Sequence, residues 1–274
     1  MRCDAVELRD FYTSGLGRMT QRMLRRRIRA IWPSVAGETV LGLGYATPFL
    51  RPFLDDADRV FGAMPAAQGV VVWPRDGLRR VALVEETELP FEDASIDRII
   101  VAHGLEASDQ TAAMLAEVWR VLSGSGRVLF VVPNRRSIWA RLERTPLGHG
   151  HPYSAGQLSR RLKAHRFLPE RTERALFIPP VRWPFLLAAA PALEEIGQRW
   201  FKPLSGVVMI EAAKQIYRLS GTASRVRARR PVLVPLPSAV QARAADADAS
   251  GSPTAPLDAV DTVVPFVPPI PPPR

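Results

Sequence analysis

Apolar positions change their period twice along the chain. Between residues 7 and 32, Leu16, Met19, Met23, Ile28 and Ile31 recur at steps of three to five, an apolar stripe on a helix. Arg18, Arg22, Arg25 and Arg29 recur at four, three and four, a basic stripe on the same helix. The spacing predicts one helix over 7–32, stopped by Pro33. From residue 39 the period shortens. Short runs rich in Val, Ile and Leu predict strands at 39–43, 59–64, 79–83, 96–102 and 127–132. The run Gly69–Trp73 fits a helix end or a short strand. Helical spacing returns at 48–54, at 109–122 with Leu115, Val118, Trp119 and Leu122 inward, and at 154–163 behind Ser154 as N-cap. Ser123–Gly126 reads as a turn, and 175–178 and 206–212 as the last strands. Strands alternating with helices predict a parallel α/β sheet.

Three segments carry chemistry. Val40-Leu41-Gly42-Leu43-Gly44-Tyr45-Ala46-Thr47-Pro48-Phe49-Leu50 reads as a buried strand, a tight turn and a helix start. A nucleotide-binding strand-turn-helix is built this way, with glycine admitting close approach and the helix N-terminus facing the ligand. The segment is similar to VLDLGCGTGFL, the first motif of class I S-adenosylmethionine-dependent methyltransferases. Glu85 to Ile100 resembles that family's DAEALPFPDNSFDVV, and Glu117 to Phe130 resembles its EXXRVLKPGGRLVI. The three stand in order over roughly residues 35–180, closest to the type 11 methyltransferase domain. The resemblance implies a Rossmann-like three-layer sandwich with a seven-stranded, mostly parallel sheet whose last two strands form an antiparallel pair. It also implies S-adenosylmethionine as cofactor and a small molecule as methyl acceptor.

Carried over residue by residue, the resemblance sets Gly42, Gly44, Tyr45 and Ala46 against the methionyl and ribose part. Met64 falls at the ribose position, and Glu85, Glu86 and Thr87 fall around the adenine. Gly42 replaces the family's acid, Ala46 and Pro48 replace two of its glycines, and Met64 replaces its ribose-binding carboxylate. Asp97 matches an acid that is structural in the family. His103, beyond the fourth strand, is a candidate base or substrate-orienting group. Arg135 and Arg136 are candidates for holding an anionic substrate, and His151 and Tyr153 are further substrate candidates. His149 and His151 lack a third metal ligand in sequence, so no metal is assigned.

Net charge is +10, mostly from arginine, which raises a nucleic-acid or anionic-membrane partner. An arginine-, alanine- and proline-rich bacterial composition explains the same charge, and no RNA- or DNA-binding signature accompanies it. The single cysteine, Cys3, excludes an internal disulfide. No spanning hydrophobic run and no signal core are present, which fits a cytoplasmic protein. The predicted organisation is a basic amphipathic helix over 1–34 and a methyltransferase-like domain over 35–220. Within that domain an insertion at about 179–203 is rich in proline and aromatics, as a cap, a partner surface or ordinary packing. A disordered Pro/Ala/Arg-rich tail follows over 221–274. Three readings stand: a small-molecule methyltransferase, a non-catalytic binding or regulatory protein on the same fold, and an RNA-binding or RNA-modifying protein.

Overall fold

In the computed structural model the chain begins with two helices, α1 (Ala5–Thr13) and α2 (Gly15–Ile31), not with one. The structure describes residues 3–142, 144–181 and 189–216. Asp4 and Glu7 form a capping box that starts α1. Ser14 then ends α1 and starts α2: its hydroxyl donates to the Phe11 carbonyl at 2.6 Å and accepts from Gly17 N–H at 3.1 Å. Periodicity misses this break because Leu8, Tyr12 and Leu16 keep one apolar face across it.

Among the described residues seven strands form one sheet: β1 (Thr39–Gly44), β2 (Arg59–Pro65), β3 (Val81–Val84), β4 (Ile96–Ala102), β5 (Leu122–Pro133), β6 (Phe167–Ala175) and β7 (Val207–Lys214). Their order is β3-β2-β1-β4-β5-β7-β6, with β7 antiparallel to both neighbours and the rest parallel. Side chains alternate between two apolar layers. Val40, Ile100, Leu129 and Met209 meet α1, α2 and the short α3 (Thr47–Leu50) on one face. Leu41, Ile99, Val128, Phe130 and Ile210 meet α4 (Thr111–Val121) and α5 (Ala155–Ala164) on the other. The sheet is therefore a three-layer α/β sandwich. Ser154 caps α5 as expected, in a capping box with Gln157.

Three predicted elements differ. Gly69–Trp73 is neither helix nor strand, so the β2–β3 crossover has no helix. Ser123–Gly126 is not a turn but part of β5, absorbed in a bulge: Ile96 pairs with Leu122, while Arg98 already pairs with Arg127. Glycines without packing side chains leave that register loose. The sixth strand lies at 167–175, not at 175–178. It is a polar edge strand whose hydrogen bonds run to β7, and edge strands need no apolar run. The proline- and aromatic-rich stretch contributes α6 (Ala190–Trp200), docked through buried Glu194, whose carboxylate accepts from Leu176 and Phe177 N–H.

Two motifs explain each other. Glu117 accepts from Leu89 N–H at 2.8 Å, and Arg120 donates to the Leu89 and Phe91 carbonyls and to Asp93. The second motif's loop is thus tied to the third motif's helix. Asp97 takes Thr39 N–H and the Ser123 hydroxyl, a structural clasp at the start of β1 and β4. The described residues all fall in one compact unit. The predicted tail from 221 lies outside the described residues. Among them, no helix is long and apolar enough to cross a membrane.

Candidate active site

The C-terminal ends of β1, β2 and β4 are where a parallel sheet presents ligands. Gly44 ends β1 at φ +80°, and a Cβ there would stand 2.4 Å from the Ala102 carbonyl and 2.8 Å from Gly104 N. Only glycine allows β1 and β4 to close this tightly. The chain then turns Tyr45 under Tyr12 of α1, with near-parallel rings 6.0 Å apart. The Tyr12 hydroxyl lies 2.7 Å from His103 Nε2. His103 itself sits at φ +53°, and its carbonyl accepts from Gln68 Nε2 at 2.8 Å. His103 Nδ1 faces Glu106 Oε1 at 3.4 Å. Tyr12, His103 and Glu106 are all buried, at 5%, 6% and 3% exposure.

Glu106 is the anomaly of this cluster. Apart from His103, neither of its carboxylate oxygens has a hydrogen-bond partner among the described residues, and Gln68 Oε1 also lacks one. A buried carboxylate without hydrogen bonds is costly and points to a ligand group. Yet the space beside Glu106 is almost closed. Two cavities of about 10 Å³ each remain, one lined by Cys3, Leu8, Gln68, His103 and Glu106, the other by Cys3, Pro65, Glu86 and Gly104. Cys3 and Leu8, at the start of the chain, fill the cleft.

The predicted cofactor residues are only partly gathered here. Gly44, Tyr45 and His103 meet at the cleft, and Glu86 borders it, accepting from the Ser108 hydroxyl at 2.5 Å. Gly42 is buried in β1, and a Cβ there would meet Leu50 Cδ1 at 2.7 Å and Ala46 Cβ at 2.9 Å. Leucine and alanine therefore fill the space that the family's acid would need. Met64 is fully buried in the core, its sulfur accepting from Val71 N–H at 3.4 Å. Glu85 is exposed and Thr87 half-buried. The carboxylate, amide and imidazole set suits a positively charged ligand group. The room does not fit S-adenosylmethionine while α1 lies across the cleft.

A second, open cavity of about 880 Å³ lies beside the ends of β4 and β5. Arg135, His151 and Tyr153 line it, joined by Arg160 and Arg161 of α5. Arg161 donates to the Tyr153 hydroxyl at 3.2 Å. Arg136 is exposed and does not line this cavity. Among the described residues no group of three or more His, Cys, Asp or Glu is placed to hold a metal.

Residues 42–130 match the methyltransferase domain family. The matched segment is similar to the class I S-adenosylmethionine-dependent methyltransferases. A demethylmenaquinone methyltransferase of Thermus thermophilus is 28% identical over 156 residues, which are 56% of this chain and 63% of that protein. The alignment thus spans under two thirds of that relative's length. Solved structures share the fold. A methyltransferase from Haloferax volcanii, in complex with the activator Trm112, has TM-score 0.55 at 17% identity, covering 77% of this chain and 99% of its own. A methyltransferase from Thermotoga maritima has TM-score 0.52 at 16% identity, covering 75% and 93%. The cyclase SpnF has TM-score 0.51 at 21% identity, covering 72% and 81%. A methyltransferase fold thus occurs in a protein named for a different reaction.

Sequence reasoning missed Tyr12, Gln68 and Glu106. Tyr12 alone had a signal, since Leu8, Tyr12, Leu16 and Met19 continue the helical stripe upstream. The cluster has a pH signature. Burial pushes the Tyr45 hydroxyl and the Cys3 thiol up to about 12, and the Tyr12 hydroxyl well above the ordinary tyrosine value. In the unfolded chain these groups ionise near 9 to 10. Their contribution to stability is therefore full below pH 9 and declines as pH rises towards 12. Thermal melts should fall by several degrees between pH 9 and 11. A flat profile would mean that α1 does not shield these groups.

Proposed function

We propose that the chain is an S-adenosylmethionine-dependent methyltransferase that takes up its cofactor when α1 leaves the cleft, and that its acceptor is a small anionic molecule. The buried carboxylate of Glu106, which has no hydrogen-bond partner and only His103 as a close basic neighbour, carries this reading. A sulfonium or ammonium group offers such a carboxylate a fixed counter-charge. The match of residues 42–130 to the methyltransferase domain family supports the same cofactor. Arg135, Arg160 and Arg161, around the open cavity beside β4 and β5, are the groups suited to an acceptor's negative charge.

When bound, S-adenosylmethionine supplies an activated methyl group, and the protein's part is alignment rather than covalent chemistry. Glu106 and Gln68 would hold the positive end. Met64, in the core, offers the ribose no acceptor, so weak affinity is expected. His103 is already bonded to Tyr12 and can act as a base only after that bond breaks.

One observation favours a second reading, a non-catalytic member of the family: Leu50 and Ala46 occupy the space before Gly42. Calorimetric titration separates the two. The full chain should bind S-adenosylmethionine and S-adenosylhomocysteine with Kd in the high-micromolar range. Tyr12→Ala, which frees the cleft, should bind at least tenfold tighter. No heat from either protein at millimolar ligand would exclude the enzyme reading. Nothing favours the RNA reading; in that basic stripe Arg25 donates to the Pro48 carbonyl and Arg29 pairs with Asp56 at 2.9 Å. Half of that basic stripe is engaged within the fold.

A further inference from the structure

Parallel neighbours in a sheet are usually joined through a helix that packs on the sheet face. The β2–β3 connection, residues 66–80, has none. In the space beside it lies a cavity of about 670 Å³, between that loop, the N-terminal helices and the start of α3. Its floor is apolar and aromatic: Tyr45, Leu54, Val71 and Trp73. Its charge is one-sided. Arg9, Arg18, Arg25, Arg51, Arg75 and Arg80 line it against Asp55 and Asp76, an excess of four positive charges.

That charge is not spent inside the protein. Elsewhere Arg29, Arg98, Arg120 and Arg127 each close an ion pair. Around the cavity only Arg9 does, with Asp10. Arg18, Arg51, Arg75 and Arg80 pair with no described residue. Arg25 is held in place by the Pro48 carbonyl and stays positive in partial burial. Burial and the neighbouring Arg51 charge both push its pKa down. Gathering like charges around a concavity is unfavourable unless an anion offsets it.

We propose that this cavity is a binding site for a phosphate-bearing small molecule, with the arginines on its phosphates and an apolar part against Trp73 and Val71. A lone carboxylate would leave most of the excess charge uncompensated. A diphosphate or triphosphate matches it, and guanidinium groups bind phosphate in forked pairs. The cavity adjoins the cleft of Glu106 through Tyr12 and Tyr45, but its arginines line neither of the small cavities beside Glu106.

Calorimetry on the full chain at constant ionic strength tests this, with inorganic pyrophosphate and tripolyphosphate as probes. One-site binding is expected, tighter for tripolyphosphate. The pair Arg25→Gln and Arg51→Gln should weaken it by tenfold or more, and so should Arg75→Gln with Arg80→Gln. The second pair lies on an exposed loop and keeps the test alive if the first pair fails to fold. Arg199→Gln, on α6, should change nothing. No heat at 5 mM tripolyphosphate would overturn the proposal. Equal weakening by Arg199→Gln would also overturn it, as diffuse attraction. Phosphatidylglycerol vesicles or RNA binding through the same arginines while the inorganic probes do not would reassign the surface to a membrane or a nucleic acid, and end the small-molecule proposal.

Discussion

Gly44→Ala should remove about 3–5 kcal/mol of stability, a large share of what a domain of this size has. Two effects add. At φ +80° an L-residue is strained by about 1–2 kcal/mol. The new methyl would then meet the Ala102 carbonyl at 2.4 Å and Gly104 N at 2.8 Å, both backbone atoms that no rotamer change can move aside. Relief requires β1 and β4, neighbours at the centre of the sheet, to separate. Gly37 is the internal control. It has φ +75° but nothing within 4 Å of the added methyl, so Gly37→Ala should lose only the strain, about 1–2 kcal/mol. Urea denaturation of the two variants measures the difference. Equal losses would show that the close approach at Gly44 is not rigid, and the case for a glycine fixed by packing would fall. A large loss would also separate fold from function here: the glycine most like a cofactor residue has a structural duty that no ligand is needed to explain.

Tyr12→Ala should destabilise by about 3–5 kcal/mol, as deletion of a large buried aromatic does. Tyr12 packs on Tyr45, edge-on against Phe49, and bonds His103. Tyr12→Phe keeps the ring contacts and removes only the hydroxyl. It leaves the buried imidazole nitrogen without its partner, an expected loss of about 1–3 kcal/mol. The two losses together report what holds α1 in place. If Tyr12→Ala lost less than about 1 kcal/mol, α1 would not be packed over the strand ends in solution. The cleft would then be open, and the tight cofactor binding expected of Tyr12→Ala would already belong to the unaltered protein. A loss near the full range, with tightened ligand binding, would show that closure of the cleft is held against cofactor entry by packing.

Much of the sheet was legible. Val40, Leu41 and Leu43 on β1, or Ile99 and Ile100 on β4, are apolar on both faces, as a central parallel strand must be. The second and third motifs were legible as a pair, and Arg120 and Glu117 show why they travel together. The polar edge strand at 167–175 was not legible, since its order comes from β7 rather than from its own side chains. Nor was the break at Ser14, where the apolar stripe runs on through a change of helix. By position Met64 falls at the ribose contact of the family it resembles, but its side chain lies in the core.

By itself the sequence determined the fold, because a sheet buried on both faces writes its period into consecutive residues, and three motifs in order locate its ligand-bearing edge. It could not determine the state of that edge. Tyr12 and His103 lie 91 residues apart, and no local pattern announces that a helix at the start of the chain will cover the strand ends. The same holds for the basic cavity, whose arginines come from both N-terminal helices, the end of α3 and a loop without a helix. Charge in a sequence is a sum over residues, whereas the field an anion meets depends on which guanidinium groups converge and which already have partners. Only tertiary packing decides that.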